Sequence, residues 1–466
     1  MFTVFDNDRS ISRRRALLTI GGLSGLPAMG LSSLLTRTAA AAAPHVTGRS
    51  VIYLFQQGGP SQLETFDPKP DAPSAVRTVT SPTQTRLPGV VFGEHMRQLS
   101  ALADKLTVVR SFQTGNAGHN LRPLVGPDSL EANIGAHYAR VVGATERDSG
   151  MPTTAVIYPR SVDEDVPRPQ ARGNLASTGP YSAGYAPFVP GGGGQLQKDL
   201  QLSIPRDRLV DDRQGLLEQL DNIKRSIDSS GQVTAVDELQ QQAYQVLLGG
   251  GVTRALDLSQ EDPRVLQMYD TSQYERKGQW NSVNRGRAGY YDANAACIGK
   301  LLLLARRLCE AGCGFVTIHA GYAGVWDMHA DGNNLNMTDG MDAIGYAFDH
   351  AVAAFVKDVE RRGLTDKILL VCGGEMGRTP RINKRGGRDH WARLAPLLLH
   401  GGGLPGGQVI GQSDRQGGQP LADPLGPKHL ISTILSTVFD AGLLRLAGGV
   451  PDSVIDLASH PRIESV

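Results

Sequence analysis

Residues 51–55, Val-Ile-Tyr-Leu-Phe, form an unbroken apolar run, and Gln56-Gln57-Gly58-Gly59-Pro60 follows it. A short apolar run that ends in glycines predicts a strand buried on both faces, as in a parallel sheet. Residues 106–109 and 154–157 read as further short strands. The C-terminal part is patterned more plainly. Residues 294–311 read as an apolar helix stopped by Gly312, and 314–319 as a strand. Residues 339–362 read as a long helix closed by Gly363, 367–372 and 394–400 as strands, and 429–441 as a helix. Strand, helix, strand at this spacing is a crossover, and crossovers build parallel sheets. The fold class is therefore α/β with a mostly parallel central sheet.

Between these blocks the pattern changes. Residues 167–194 are rich in Pro, Gly and Ser and read as loop, with the character of a lid. Residues 206–248 and 261–285 are polar with helical spacing; Leu209, Leu216, Leu217, Leu220, Ile223 and Ile227 follow one face. Together they make a loop-rich and helical insertion at about 160–290 in a single domain of residues 44–466. Ahead of it, Ser12-Arg13-Arg14-Arg15 opens an apolar stretch that ends in Ala39 to Ala43. A basic start, an apolar middle and a small-residue end predict an export signal over residues 1–43, cleaved near Ala41 to Ala43. Its paired arginines resemble the twin-arginine class, with Ala16 in place of the usual Phe, so the export machinery is an expected partner and the periplasm or the exterior the expected location. The other reading is an uncleaved anchor, but Gly21, Gly22, Gly25, Pro27 and Gly30 weaken a spanning helix. No later segment is long and apolar enough for stable membrane insertion after processing.

Composition narrows the chemistry. The 466 residues carry 47 Lys+Arg against 46 Asp+Glu, and a net charge of +1 argues against a nucleic-acid partner, whose footprint is a basic excess. Cys297, Cys309, Cys313 and Cys372 are too few for a disulfide scaffold, and no CxxC pair suggests a zinc ribbon. Cys309 and Cys313 read as buried free thiols. The sequence has no HExxH helix, no phosphate loop and no GxSxG elbow in the mature chain.

The polar groups collect beyond the carboxyl ends of the expected strands, where open α/β sheets bind ligands. Ser61, Glu64 and Asp67 follow the first strand, Asp327, His329 and Asp331 a later one, and Glu375 and Arg378 the next, with Arg388, Asp389 and His390 beyond. Carboxylates and imidazoles from several segments suit a divalent cation such as zinc, manganese or calcium. Asp327 and His329 project the same way in extended backbone, unless they belong to a polar surface loop. Asp327-x-His329-x-Asp331-Gly332 opens like a calcium loop, but Thr338 stands where the twelfth-position Glu belongs. Glu375 is either a ligand or a partner for Arg378 or Arg381. Asp389 is either a ligand or the group that orients His390. Asn116 and His119 follow another short strand and either join the site or remain loop residues.

Gly58-Gly59-Pro60-Ser61-Gln62-Leu63-Glu64-Thr65-Phe66-Asp67-Pro68, Trp326-Asp327-Met328-His329, Gly374-Glu375-Met376-Gly377-Arg378-Thr379-Pro380 and Gly387-Arg388-Asp389-His390-Trp391 carry a resemblance. The chain resembles the domain-of-unknown-function 1501 family, exported bacterial proteins related to the alkaline phosphatase and sulfatase superfamily. That resemblance implies an alkaline-phosphatase/sulfatase-like fold with helices on both faces of the sheet. It also implies a metal-dependent hydrolase of phosphate or sulfate esters, small-molecule or glycan, that works through an Asp/His cluster and a hydroxyl or modified-cysteine nucleophile. By position, Asp327 and His329 resemble one ligand pair, Glu375 falls where the next strand supplies ligands, and His390 where a later histidine stands. Glu64, Asp67 and Asp389 complete the implied metal set. Ser61 is the first choice of nucleophile and Ser111 the second, with Arg378 and Arg388 to neutralise the oxyanion. The chain departs from the pattern at Glu64, where many relatives carry Asp, and it lacks the sulfatase Cys/Ser-x-Pro-x-Arg motif. Those departures keep a second function open: a non-catalytic binding protein of the cell envelope that retains the fold.

Overall fold

The apolar run at 51–55 becomes the middle of the molecule because both of its faces are covered. Strand β1 (Ser50–Phe55) sends Ile52 and Leu54 into one apolar core and Val51, Tyr53 and Phe55 into another, the period-two alternation of a strand buried on both sides. The computed structural model describes residues 43–146, 149–190, 251–277, 279–280, 283, 285–322 and 324–464. The helical reading of 206–248 and the export signal up to residue 42 lie outside them.

Six more strands complete the sheet: β2 (Thr107–Val109), β3 (Thr154–Ile157), β4 (Phe315–His319), β5 (Ile368–Gly373), β6 (Leu397–Gly401) and β7 (Gln408–Ile410). Their order is β7-β2-β6-β5-β1-β4-β3. β1 pairs in parallel with β4 (Val51 opposite Phe315) and with β5 (Ser50 opposite Ile368). β6 alone runs against its neighbours β5 and β2, so the sheet is mostly parallel. Among the described residues four longer helices flank it: α1 (Ile134–Val142), α2 (Arg285–Glu310), α3 (Met337–Arg361) and α4 (Pro427–Val438). α2 and α3 pack on each other and fill the Ile52/Leu54 face with Leu301, Leu304, Phe348 and Phe355. α1 and α4 cover the opposite face with Ile134, Tyr138, Leu430 and Ile434. Burying each such side chain contributes about 1.5–3 kcal/mol.

The helix ends follow local chemistry. The Asn336 side chain accepts the Asp339 N–H at 2.8 Å to start α3, and Gly312 (φ 106°) and Gly363 (φ 65°) turn the chain after α2 and α3. Several expected boundaries move. α2 begins at Arg285 rather than 294. The strand read at 394–400 starts only after Pro396, which has no N–H for a ladder. The helix read at 429–441 breaks at Phe439, whose backbone is extended, and Asp440 caps a separate short helix, Ala441–Leu446. Among the described residues of 261–285 the helical structure is confined to short pieces and the first residue of α2. All four cysteines are free and buried.

Two buried imidazoles tie this fold to pH. On α1, His137 lies 2.8 Å from the Tyr181 hydroxyl through Nδ1 and 3.0 Å from the Ser129 carbonyl through Nε2. That pair suits a neutral ring which accepts from Tyr181 and donates to Ser129. Burial pushes the pKa of His137, and that of His319 at the end of β4, down to about 4. The unfolded chain takes up these protons near pH 6.5, before the native state does. Stability should therefore be fully present above that pH and fall as pH drops toward 4, by up to about 3 kcal/mol per ring. Urea midpoints at pH 7 and 4.5 test this: His137→Gln should flatten the difference, and an unchanged slope would refute the assignment.

Candidate metal centre

β1, β2, β4 and β5 all point the same way, so the loops leaving their carboxyl ends meet at one edge. The loop beyond β2 carries His119, that beyond β4 carries Asp327 and His329, and that beyond β5 carries Glu375. A hairpin of strands Gly377–Ile382 and Arg388–Trp391 follows, with Arg378 paired to His390.

Asp327, 1% exposed, is the hub. Its Oδ2 lies 2.8 Å from His119 Nε2 and 3.2 Å from His329 Nε2, and its Oδ1 lies 3.1 Å from His390 Nε2 and 2.7 Å from Arg378 Nη2. Burial alone would raise this carboxyl's pKa. Hydrogen bonds with the three histidines and the Arg378 charge outweigh it and hold the group far below the ordinary carboxylate range. His119, Asp327 and His390 each offer one donor atom, and these atoms lie within 4.8 Å of one another. Two imidazole nitrogens and a carboxylate oxygen are a donor set suited to zinc or manganese.

Behind His119 stands Glu375, fully buried, with Oε1 3.0 Å from His119 Nδ1. Both Glu375 oxygens also accept the Gly58 N–H, at 2.9 and 3.1 Å. Its place is thus that of a carboxylate orienting a histidine. Burial would lower the His119 pKa, but bonds with Asp327 and Glu375 reverse the sign and raise it. A cation arriving at Nε2 would take the place of that proton. Gly58 (φ 121°) is required here, because a Cβ would come within 2.7 Å of the Asp327 nitrogen. Arg378, also fully buried, donates to the carbonyls of Gly58, Gly59 (2.8 Å), Trp326 (3.2 Å) and Arg388 (3.1 Å) and so binds three loops together.

Asp327, His119, His329 and His390 open onto a cavity of about 520 Å³ that Arg172, Arg287, Tyr290 and Asn334 also line. Asp331, also singled out from the sequence, lines it too; the remaining candidates do not. Glu64 and Arg388, both fully buried, are paired at 2.9 Å; the Ser61 hydroxyl donates to Glu64, and Arg388 also reaches the carbonyls of Val76 and Arg77. Asp67 is held by Lys69 at 2.9 Å, by Arg110 at 3.4 Å and by the Ser413 hydroxyl. Asp389 is exposed and accepts from Asn383, Asn116 closes a local turn on Gly118, and Ser111 is buried away from the cavity. Among the residues around the cavity that sequence reasoning missed are Arg172, Arg287 and Tyr290. The first sits in the Pro/Gly-rich segment and the other two in the polar first turns of α2, where no apolar period marks a helix.

Among solved structures the chain is similar to the PsFucS1 sulfatase from Pseudoalteromonas sp., at 12% identity over 79% of this chain and 65% of that one (TM-score 0.31). It is also similar to the alkaline phosphatase of the Antarctic bacterium TAB5, at 13% identity over 80% and 95% (TM-score 0.28). A third is the phosphonate monoester hydrolase of Agrobacterium radiobacter, at 13% identity over 84% and 73% (TM-score 0.27). The chain thus spans about 65% of the length of the sulfatase. Likenesses of this size carry no argument about chemistry. No curated protein matches the chain. The model of the family described as "Protein of unknown function (DUF1501)" matches residues 48–440. With most of its length inside that match, the chain belongs to the DUF1501 family.

Proposed function

We propose that this protein is an exported, metal-dependent hydrolase of phosphate or sulfate esters. One observation carries the reading: His119, Asp327 and His390 converge within 4.8 Å on a cavity that two arginines also line. A divalent cation bound there would polarise the ester oxygen and lower the pKa of a water. Asp327 supplies the charged ligand, Glu375 and Arg378 fix the orientation of His119 and Asp327, and His329 is placed to hold or move a proton at Nε2. Ser61 is engaged by Glu64, so in this reading water attacks the ester. No helix among the described residues is long and apolar enough to cross a membrane. The twin-arginine-type segment at the start of the chain supports a periplasmic or secreted location.

A second reading has one observation in its favour: no Ser or Thr hydroxyl lines the cavity among the described residues. A binding protein of the cell envelope that keeps the cation would need none. Elemental analysis and assay of protein expressed without residues 1–43 separate the two. The hydrolase should carry about one equivalent of zinc or manganese and turn over a chromogenic phosphate monoester, phosphodiester or sulfate ester, and chelator should stop it. Stability must be followed alongside rate, because cation binding is coupled to folding. Folded, metal-replete protein that turns over none of these and binds envelope glycans equally well as wild type and as Asp327→Asn would decide for the binding reading.

A further inference from the structure

The cavity holds one cationic side chain whose engagement differs from all the others. Arg287 donates to the Asn333 carbonyl at 3.2 Å and to Asn334 Oδ1 at 2.8 Å. Arg378 and Arg388 are buried and bonded to carbonyls and carboxylates. Arg172 lines the same cavity, and among the described residues no hydrogen bond or ion pair engages its guanidinium.

Its backbone, by contrast, is held firmly. Gln57, 2% exposed and two residues beyond β1, accepts the Arg172 N–H at 2.9 Å and donates to the Arg172 carbonyl at 3.1 Å. The same carboxamide donates to the Asn120 carbonyl, next to His119, at 3.3 Å and lies 3.0 Å from His319 Nε2. Both donors and both acceptor positions of the side chain are thereby used. Five residues upstream, the Tyr322 hydroxyl donates to the Pro167 carbonyl at 2.8 Å, and Gln170 forms a bridge with Tyr322. The stretch expected to act as a lid is therefore anchored at 167, 170 and 172. A free guanidinium on a fixed backbone, beside a cation-binding cluster, is the arrangement that receives an anion bidentately.

We infer that Arg172 is the substrate-anion anchor of this cavity, receiving the non-bridging oxygens of a phosphate or sulfate group, and that Gln57 is the residue that positions it. The inference rests on reading the cavity as an ester site and names the group that recognises the ester's charge. Isothermal titration of inorganic phosphate into zinc-loaded protein tests it, with the zinc content of every variant measured. Arg172→Ala should weaken phosphate binding roughly tenfold or more with zinc content unchanged. Arg172→Lys should restore part of the loss, because lysine returns the charge without the planar fork. Gln57→Glu keeps the acceptors and removes both donors. It should weaken phosphate binding in the wild-type background and add little to Arg172→Ala, a coupling that a merely structural role would not produce. Arg172 is exposed, so its variants report on the site and not on folding.

Phosphate binding by Arg172→Ala at wild-type affinity would overturn the anchor, as would zinc-loaded wild type that binds no phosphate. Unchanged affinity in Gln57→Glu, or additive losses in the double variant, would overturn the positioning role. The outcome is separable from the hydrolase reading. A protein that turns over no ester but loses phosphate on Arg172→Ala keeps the anchor and loses the enzyme. One that hydrolyses esters with Arg172→Ala unimpaired does the reverse.

Discussion

Asp327→Asn should hold no cation under conditions in which the wild type binds one equivalent, and should lose ester turnover while circular dichroism stays native. The substitution keeps shape and volume but removes the one negative charge that faces His119, His329, His390 and Arg378 together. Losing an outer partner of a metal site typically costs about 10–100-fold in affinity, and loss of the charged ligand itself should reach or exceed roughly 100-fold. The fold should survive, because Arg378 retains the carbonyls of Gly58, Gly59, Trp326 and Arg388. Elemental analysis after dialysis against trace zinc gives the answer directly. Full occupancy in the variant would remove Asp327 from the site and with it the model of the centre.

The second large effect belongs to stability. Arg388→Met should destabilise the protein by about 3–5 kcal/mol, the usual result of leaving one partner of a buried ion pair without the other. Glu64 and Arg388 are both 0% exposed, and without the guanidinium the carboxylate would keep only the Ser61 hydroxyl and the Val79 N–H. The double variant Glu64→Leu/Arg388→Met should recover part of that loss, since an apolar pair of similar volume carries no stranded charge. Glu64→Asp is the informative conservative change: one methylene fewer pulls the carboxylate back from Arg388. Urea midpoints of the wild type and these three variants suffice. A loss below about 1 kcal/mol for Arg388→Met would contradict a structural pair and return both residues to candidacy at the site.

These two predictions mark the boundary between what the sequence made legible and what it left hidden. Strands buried on both faces announce themselves as apolar runs, so β1, β4 and β5 could be read almost to the residue, and Gly312 and Gly363 fixed the ends of two helices. The start of α2 could not be read, because its first turns face the cavity with Arg287 and Tyr290 instead of an apolar stripe. That polar groups would gather at the carboxyl edge followed from the parallel sheet alone. Their sorting did not. Glu64 and Asp327 look equivalent in a single sequence, yet one meets Arg388 and the other meets three histidines. Only the folded loops, joining residues hundreds of positions apart, decide which carboxylate remains available. His119 carried a weak signal, a glycine-flanked loop after a short strand, and its two carboxylate partners, Asp327 and Glu375, are both far along the chain.

β1 is synthesised first among the strands of the sheet but is completed by partners that begin at Phe315 and Ile368. At ribosomal speeds of roughly 5–20 residues per second, its five apolar side chains wait for the second neighbour on the order of tens of seconds. Until β4 is made both of its backbone edges stand open, and one edge stays open until β5 follows, the condition under which strands pair with the wrong partner. Pairings of such long sequence separation also make for slow folding. The nascent chain therefore carries an unprotected template for aggregation until β5 has been made. Its yield in a cell should depend more steeply on holding chaperones and on expression rate than on the stability of the finished sheet.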